Sequence, residues 1–277
     1  MTENHRQHED ASYADTLNRI RIGKQTEDDF NNLEERVRPE GHPDLNGALM
    51  IACKHKDVHK HNEMSLDQLK SDLFIIKAIN THPNIENFKP KIDKRKRTIG
   101  NTPYLESLHV KVGCRVMLTV NLDVQDGLCN GAIGTLGAIL VNSKGQVTKL
   151  MVKFDDPNTG RDLRNEHLQL KAKYPEYTPI SQEIHKYSTS KSLKGEKVNV
   201  AIVKQFPLIL SFALTCHKIQ GITVKYPRKV AVDLRTVWGA SQAYVMLGRV
   251  ERLCQLFIIE TLEKRLLFDM FPSILLL

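Results

Sequence analysis

Residues 215–223 read Thr-Cys-His-Lys-Ile-Gln-Gly-Ile-Thr and gather a hydroxyl, an imidazole, an ammonium and a carboxamide in one short stretch. An apolar run at residues 208–213, Leu-Ile-Leu-Ser-Phe-Ala, comes just before it. That run is long enough for a buried strand and too short for a helix. Thr215 is a good N-cap for a short helical turn, and Gly221 can take the left-handed conformation that ends one. A second apolar run follows at residues 230–234. The unit therefore reads as strand, capped turn, strand. It sets Thr215, His217, Lys218 and Gln220 at the end of a sheet, where open α/β folds place their ligands. Arg249 falls at the C-terminal end of a helical stretch at residues 239–249, where a cation is favoured and a guanidinium can reach into a cleft. Taken alone, it reads better as an ordinary surface arginine. Arg6 and Gln7 precede every regular pattern, and taken alone they read equally as a disordered tail.

The elements that must position these groups come in two textures. Residues 1–49 are polar with apolar positions at helical spacing (Leu17 and Ile20, then Phe30 and Leu33), which predicts two helices joined around Gly23. Thr26 with Asp28 and Asp29 marks the second start. Residues 49–53 form a short strand leading into a helix over 54–69. Cys53, His55, His59 and His61 resemble a metal cluster. However, His59 and His61 are two apart and point to different sides of a helix, so no metal site is expected. Residues 89–97 are a dense basic run, read as a solvated loop or as a phosphate-contacting arm or nuclear address. From residue 110 the chain turns β-rich. Strands are expected over 112–118, 147–154 and 198–203, with Asn130-Gly131 as a tight hairpin turn and 174–195 as a polar loop. Together these describe a small β-barrel.

The 277 residues are 41% hydrophobic and 26% charged, an ordinary globular balance, and the formal charge of +8 is consistent with a polyanionic partner. Five scattered cysteines predict reduced thiols in an intracellular, non-secreted protein. No run reaches membrane-spanning length, and the polar N-terminus is no secretory signal.

In this order, several stretches resemble the C-terminal half of the Pif-one (petite integration frequency) helicases, superfamily-one DNA helicases related to RecD. They are Arg6-Gln7, residues 17–23, His42-Pro43-Asp44, residues 112–123, residues 127–131, residues 215–223 and residues 243–250. The resemblance implies an α/β fold: a second RecA-like domain with a largely parallel sheet and flanking helices. Residues 1–111 and 207–277 would build that domain, and residues 112–206 would be an inserted Src-homology-3-like barrel with its loop. By the same resemblance Arg6 and Arg249 are the catalytic pair that reaches the γ-phosphate of ATP. Gly221, Thr223 and Gln220 lie on the nucleotide side, and Thr215, His217 and Lys218 on the DNA side. The implied partners are single-stranded DNA, tracked 5′ to 3′, and a first RecA-like domain, with no membrane and no stable oligomer. Nucleus or mitochondrion are the implied compartments.

The sequence contains no Gly-x-x-x-x-Gly-Lys-Ser/Thr loop and no acidic Mg²⁺-holding motif after one. ATP and Mg²⁺ are therefore expected only together with the first RecA-like domain, and the chain reads as half a motor. The alternatives are a non-enzymatic basic module for single-stranded nucleic acid, or a decayed helicase remnant. The sequence departs from the family pattern at Lys54-His55 (usually Thr-Asn), Ile219 (usually Ser), Gly248 (usually Ser) and Glu251 (usually basic).

Overall fold

The structure is a computed structural model, and it describes residues 6–189, 200–237 and 240–262. The helices are α1 (Ala11–Arg21), α2 (Glu27–Glu34), α3 (His55–Asp67), α4 (Arg161–Glu166), α5 (Leu168–Lys173) and α6 (Ala240–Leu247). The strands begin with β1 (Val37–Arg38), β2 (Leu49–Ala52), β3 (Phe74–Lys77), β4 (Ile79–Thr81), β5 (Ile92–Asp93) and β6 (Thr98–Ile99). They continue with β7 (Ser107–Val110), β8 (Arg115–Leu118), β9 (Ile133–Val141), β10 (Val147–Phe154), β11 (Thr178–Ile180) and β12 (Glu183–Ser188). The last are β13 (Val200–Gln205), β14 (Leu208–Leu210), β15 (Ala213–Thr215), β16 (Val230–Val232) and β17 (Leu256–Ile259). The chain divides into two compact units. One joins the residues up to Asn62 with those from Phe212 onward, and the other is the continuous stretch Glu63–Ser211.

The discontinuous unit is built on a five-stranded sheet in the order β1-β17-β16-β2-β15, with every pairing parallel. Strands β2, β15, β16 and β17 are buried at every position, as expected for a parallel sheet covered on both faces. Met50, Ala52, Val58, Ala213, Ala231, Phe257 and Ile259 pack together as one core cluster. Helix α1 buries Tyr13, Thr16, Leu17 and Ile20, a helical stripe, and the Asp10 carboxylate caps its start by accepting from the Tyr13 N–H. Helix α2 starts in a capping box: Thr26 Oγ1 accepts from the Asp29 N–H, and Asp29 Oδ2 accepts from the Thr26 N–H. The α/β class with a parallel sheet is therefore as the sequence implied.

The continuous unit is β-rich. It holds a five-stranded antiparallel sheet in the order β11-β10-β9-β8-β14, a three-stranded sheet β12-β13-β4, and two two-stranded ribbons, β3-β7 and β5-β6. It reaches beyond residues 112–206 at both ends, because β4 pairs with β13, β3 pairs with β7, and β14 closes onto β8. The five-strand ladder has two edges, β11 and β14, so its hydrogen bonding does not close into a barrel.

Three local expectations are corrected. Residues 208–213 are not one strand. The chain leaves β14 in the continuous unit and begins β15 in the parallel sheet, and a uniformly apolar run carries no mark of which sheet each half joins. The described part of the 174–195 stretch is not loop: β11 is fully buried against β10, and β12 pairs along its length with β13. Asn130-Gly131 does not join paired strands as a two-residue hairpin. It sits inside a turn closed by the Ala132 N–H on the Cys129 carbonyl, with only Gly131 at positive φ (+99°). The Asn121 side chain holds the Asn130 N–H and the Leu118 carbonyl holds the Gly131 N–H, so long-range partners override the local hairpin preference.

The Thr26 box is also an electrostatic knot. Asp29 is 1% exposed and accepts from Arg19 Nε (2.8 Å), Arg19 Nη2 (2.6 Å), Thr16 Oγ1 (2.8 Å) and the Thr26 N–H (2.9 Å). The Arg19 guanidinium holds the Asp29 carboxyl well below the usual carboxylate range, against the opposing effect of burial. A depressed carboxylate stabilises the fold fully above its unfolded value, about pH 4, and that contribution is lost as pH falls through the folded value. Asp29→Ala should therefore cost about 2–3 kcal/mol in a urea melt at pH 7 and flatten the loss of stability below about pH 4. An unchanged midpoint at pH 7 would count against this account.

Candidate functional site

Register places the polar stretch where the sequence implied. Thr215 ends β15 opposite Ala52 of β2, so the turn that follows leaves from the C-terminal edge of the parallel sheet. Thr215 Oγ1 accepts from the Lys218 N–H at 3.3 Å, and its carbonyl accepts from the Ile219 N–H at 3.2 Å. Residues 216–221 form a capped turn that does not extend to a regular helix. Gly221 has φ +81° with nothing within 4 Å of a Cβ built there, so backbone conformation, not crowding, demands glycine. The turn buries Cys216 and Ile219 and exposes His217, Lys218 and Gln220. Thr215 is 4% exposed and serves as a cap, whereas the exposed trio presents its side chains outward.

Arg6 and Arg249, far apart in sequence, share one corner of this unit. Arg6 Nε donates to Thr223 Oγ1 (2.9 Å) and its Nη1 donates to the Gly248 carbonyl (2.8 Å). Arg249 is 7% exposed, and it donates from Nε to the Val245 carbonyl (2.5 Å) and from Nη1 to the Ile219 carbonyl (3.4 Å). Burial, and next the positive charge of Arg6, push the Arg249 guanidinium down to about 10, and burial lowers Arg6 as well. Holding two cations partly out of water costs free energy that the hydrogen bonds to Thr223, Gly248, Val245 and Ile219 partly offset. The Ile219 carbonyl belongs to the turn and Thr223 lies two residues past it, Gly248 and Val245 belong to α6 and its end, and Arg6 to the N-terminal segment. Both arginines therefore contact the 215–223 stretch.

The N-terminal segment is fastened rather than loose. Gln7 is 2% exposed and donates from Nε2 to the Val250 carbonyl at 2.5 Å. Tyr13, 1% exposed, donates its hydroxyl to the Leu247 carbonyl at 2.7 Å. Leu253 N–H donates to Asp10 at 2.9 Å, and Glu9 pairs with Arg252. The roles of Gln7 and Tyr13 were not legible in sequence, because each is defined by a carbonyl more than two hundred positions away. Tyr244 also lies within electrostatic reach of both arginines, and nothing in its spacing on α6 announces that.

The departures from the family pattern are absorbed locally. Ile219 is wholly buried under the turn, and a Cβ at Gly248 would sit 3.2 Å from the Tyr244 carbonyl oxygen. Glu251 Oε2 accepts from the Tyr226 N–H at 2.8 Å. Lys54-His55 opens α3. The rings of His55 and His59 stack at 6.1 Å, and among the described residues no group of three or more His, Cys, Asp or Glu is placed to hold a metal ion. No helix among the described residues is long and apolar enough to cross a membrane. In the continuous unit, the basic run becomes the β5-β6 hairpin. Asp93 Oδ1 caps its tip by accepting from the Arg95 and Lys96 N–H groups, and Lys94, Arg95, Lys96 and Arg97 are exposed.

Comparison with known proteins shows which chains this one is similar to. The family described as DNA helicase Pif1, 2B domain, matches residues 101–138. The ATP-dependent DNA helicase PIF1 of Emericella nidulans is 28% identical over 263 residues, covering 87% of this chain and 34% of the relative. The Pif1 helicase of Bdellovibrio bacteriovorus is 28% identical over 269 residues, covering 96% of this chain and 50% of the relative. The fold is similar to that of the Candida albicans Pif1 helicase, with TM-score 0.67 and 24% identity over 96% of this chain and 57% of that one. It is also similar to Bacteroides Pif1 bound to single-stranded DNA, with TM-score 0.63 and 23% identity over 96% of this chain and 52% of that one. The chain spans about a third to a half of the length of the curated relatives it matches. By sequence and by fold, the chain is similar to Pif1 helicases and matches the C-terminal part of its longer relatives.

Proposed function

We propose that this chain is the second RecA-like half of an ATP-dependent 5′-to-3′ DNA helicase, with the β-rich Glu63–Ser211 unit as its insertion. The observation that carries the reading is the shared corner of Arg6 and Arg249, two partly desolvated cations fixed against Thr223, Gly248 and the Ile219 carbonyl. A transferring phosphoryl group gathers negative charge in its transition state, and preorganised guanidinium groups stabilise that charge without having to reorganise. Arg6 and Arg249 would meet the γ-phosphate there, with Thr223, Gly221 and Gln220 on the same side of the turn. ATP with its Mg²⁺ supplies the bond to be broken, and no residue of this chain is assigned to the metal. The phosphate-binding loop and the Mg²⁺-holding carboxylate belong to a first RecA-like domain.

Thr215, His217 and Lys218 are assigned to the DNA side. His217 and Lys218 are exposed on the turn, and Thr223, two residues past it, bonds to Arg6. A change of position at the arginines is thereby passed along nine residues to the strand-gripping groups. Among relatives, the solved Bacteroides Pif1 complexes with single-stranded DNA and with ADP-AlF4 support both ligand assignments. The β5-β6 hairpin favours a second contact with the phosphate backbone, one that needs no nucleotide and would persist if the chain acted only as a binding module. A nuclear or mitochondrial site of action forms part of this reading.

Three measurements test it. The chain alone should show no ATP hydrolysis. Joined to a first RecA-like domain carrying a phosphate-binding loop, it should hydrolyse ATP in the presence of single-stranded DNA, and Arg249→Ala should lower that kcat about a thousandfold. Turnover by the chain alone that Arg249→Ala abolished, or joined turnover indifferent to the substitution, would overturn the assignment. Because the Arg249 cation is held at a cost, Arg249→Met should raise the unfolding free energy read from a urea melt by about 1 kcal/mol, and a fall would refute that cost. Replacing Lys94, Arg95 and Lys96 with alanine should reduce the slope of log affinity against log salt for single-stranded DNA by about 2, and an unaltered slope would remove the hairpin from the interface.

A further inference from the structure

The same sheet edge that launches the central turn brings two cysteines together. Cys53 follows β2 directly, Cys216 follows β15 directly, and these neighbouring parallel strands pair with Thr215 opposite Ala52. The ladder continues one step further, since the Cys216 N–H donates to the Ala52 carbonyl at 3.0 Å. Cys53 and Cys216 thus occupy the next paired position, on one face. Neighbouring strands lie about 4.8 Å apart, inside the span of about 4.4–6.8 Å between Cα atoms that a disulfide bridges. The two thiols lie within electrostatic reach of each other. Cys53 is half-buried, within reach of a small reagent, and Cys216 lies beneath it at 2% exposure. The His217 ring stands beside them, its Nδ1 3.5 Å from Cys216 Sγ.

We propose that Cys53 and Cys216 are a redox modification site, closed to an intramolecular disulfide by an oxidant of the peroxide class. The Cys53 sulfur attacks one peroxide oxygen, the O–O bond breaks, and the departing hydroxide takes up the thiol proton as water, leaving a sulfenic acid. The Cys216 sulfur then attacks the Cys53 sulfur, the S–O bond breaks, and the second hydroxide leaves as water with the Cys216 proton, which His217 Nδ1 is positioned to relay. The two thiols lose two electrons and two protons, and one peroxide becomes two waters. Burial and the neighbouring Cys216 push the Cys53 thiol up to about 12, so thiolate is scarce and the closure is slow at neutral pH. The bond ties the end of β2 to the first residue of the turn and removes the Cys53 thiol from its 3.5 Å contact with Gln242 of α6. This inference stands on the sheet register and does not depend on the helicase assignment.

The test is a thiol map of the purified chain before and after hydrogen peroxide, with free thiols alkylated and the protein digested without reduction. The expected result is a linked peptide pair holding Cys53 and Cys216, lighter by two hydrogen atoms than the separate peptides, with loss of alkylation at those two positions. The pair should vanish in Cys53→Ser and in Cys216→Ser and persist when Cys129 and Cys254 are both serine. Exposed Cys254 reports that oxidant reached the protein. If Cys254 is oxidised while Cys53 and Cys216 stay alkylatable, the proposal fails. It fails equally if either is found linked to another cysteine, or if Cys53 stops at sulfinic acid.

Discussion

Two like charges held close together out of water are the constraint on which the discontinuous unit turns. Burial lowers the affinity of both Arg6 and Arg249 for the proton, the charge of Arg6 lowers that of Arg249 further, and each is fixed by oxygen acceptors on separate segments. Such a pair persists only where the surroundings over-determine it. Here they do: the Gln7 amide, the Tyr13 hydroxyl and the Asp10 carboxylate anchor the N-terminal segment to residues 247–253. The Val224 N–H on the Arg249 carbonyl, with Gln255 Nε2 on the Val224 and Arg228 carbonyls, fastens that segment in turn to the far side of the central turn. Buried neutral hydrogen bonds thus hold in place an electrostatic arrangement that would otherwise relax.

The sheet beneath explains why such precision is available. Four of its strands are buried at every residue, and β-branched and small side chains dominate them. A twisted parallel sheet of this kind is rigid, and it delivers β2, β15 and β16 to one edge in fixed register. Asp233, 3% exposed, sits just past β16 at that edge and is held bidentately by Arg235. The edge is therefore lined with groups already committed to partners, and the turn at 216–221 is its projecting part.

What could be read from the sequence was what is decided locally. Thr26 with Asp29, the strands β2, β10 and β16, and the Thr215 cap ending at Gly221 each rest on a few adjacent residues. The pairing of Arg6 with Arg249 came from the resemblance, since nothing near either arginine specifies the other. What escaped was set by distant partners. The 208–213 run divides between two sheets, and its composition is uniform across the division. Strand β11 contains a proline and stands at a sheet edge, and the polar residues around it read as loop. The Asn130-Gly131 turn was recognised as a turn, but its geometry is dictated by Asn121 and Leu118. The neighbourhood of Cys53 and Cys216 depends on strand register, which composition alone does not carry.

The interruption of the parallel sheet by Glu63–Ser211 has a consequence for how the molecule is made. A nascent chain leaving the ribosome presents β1 and β2 long before β15, β16 and β17, which supply every partner those first strands have in the sheet. The continuous unit, by contrast, holds all of its own strand partners and can assemble as soon as residue 211 is out. The order of maturation is thereby inverted relative to the order of synthesis at the N-terminal end. Strand β2 waits unpaired until β15 and β16 emerge, and β1 until β17 does, and over that interval exposed strand edges favour aggregation.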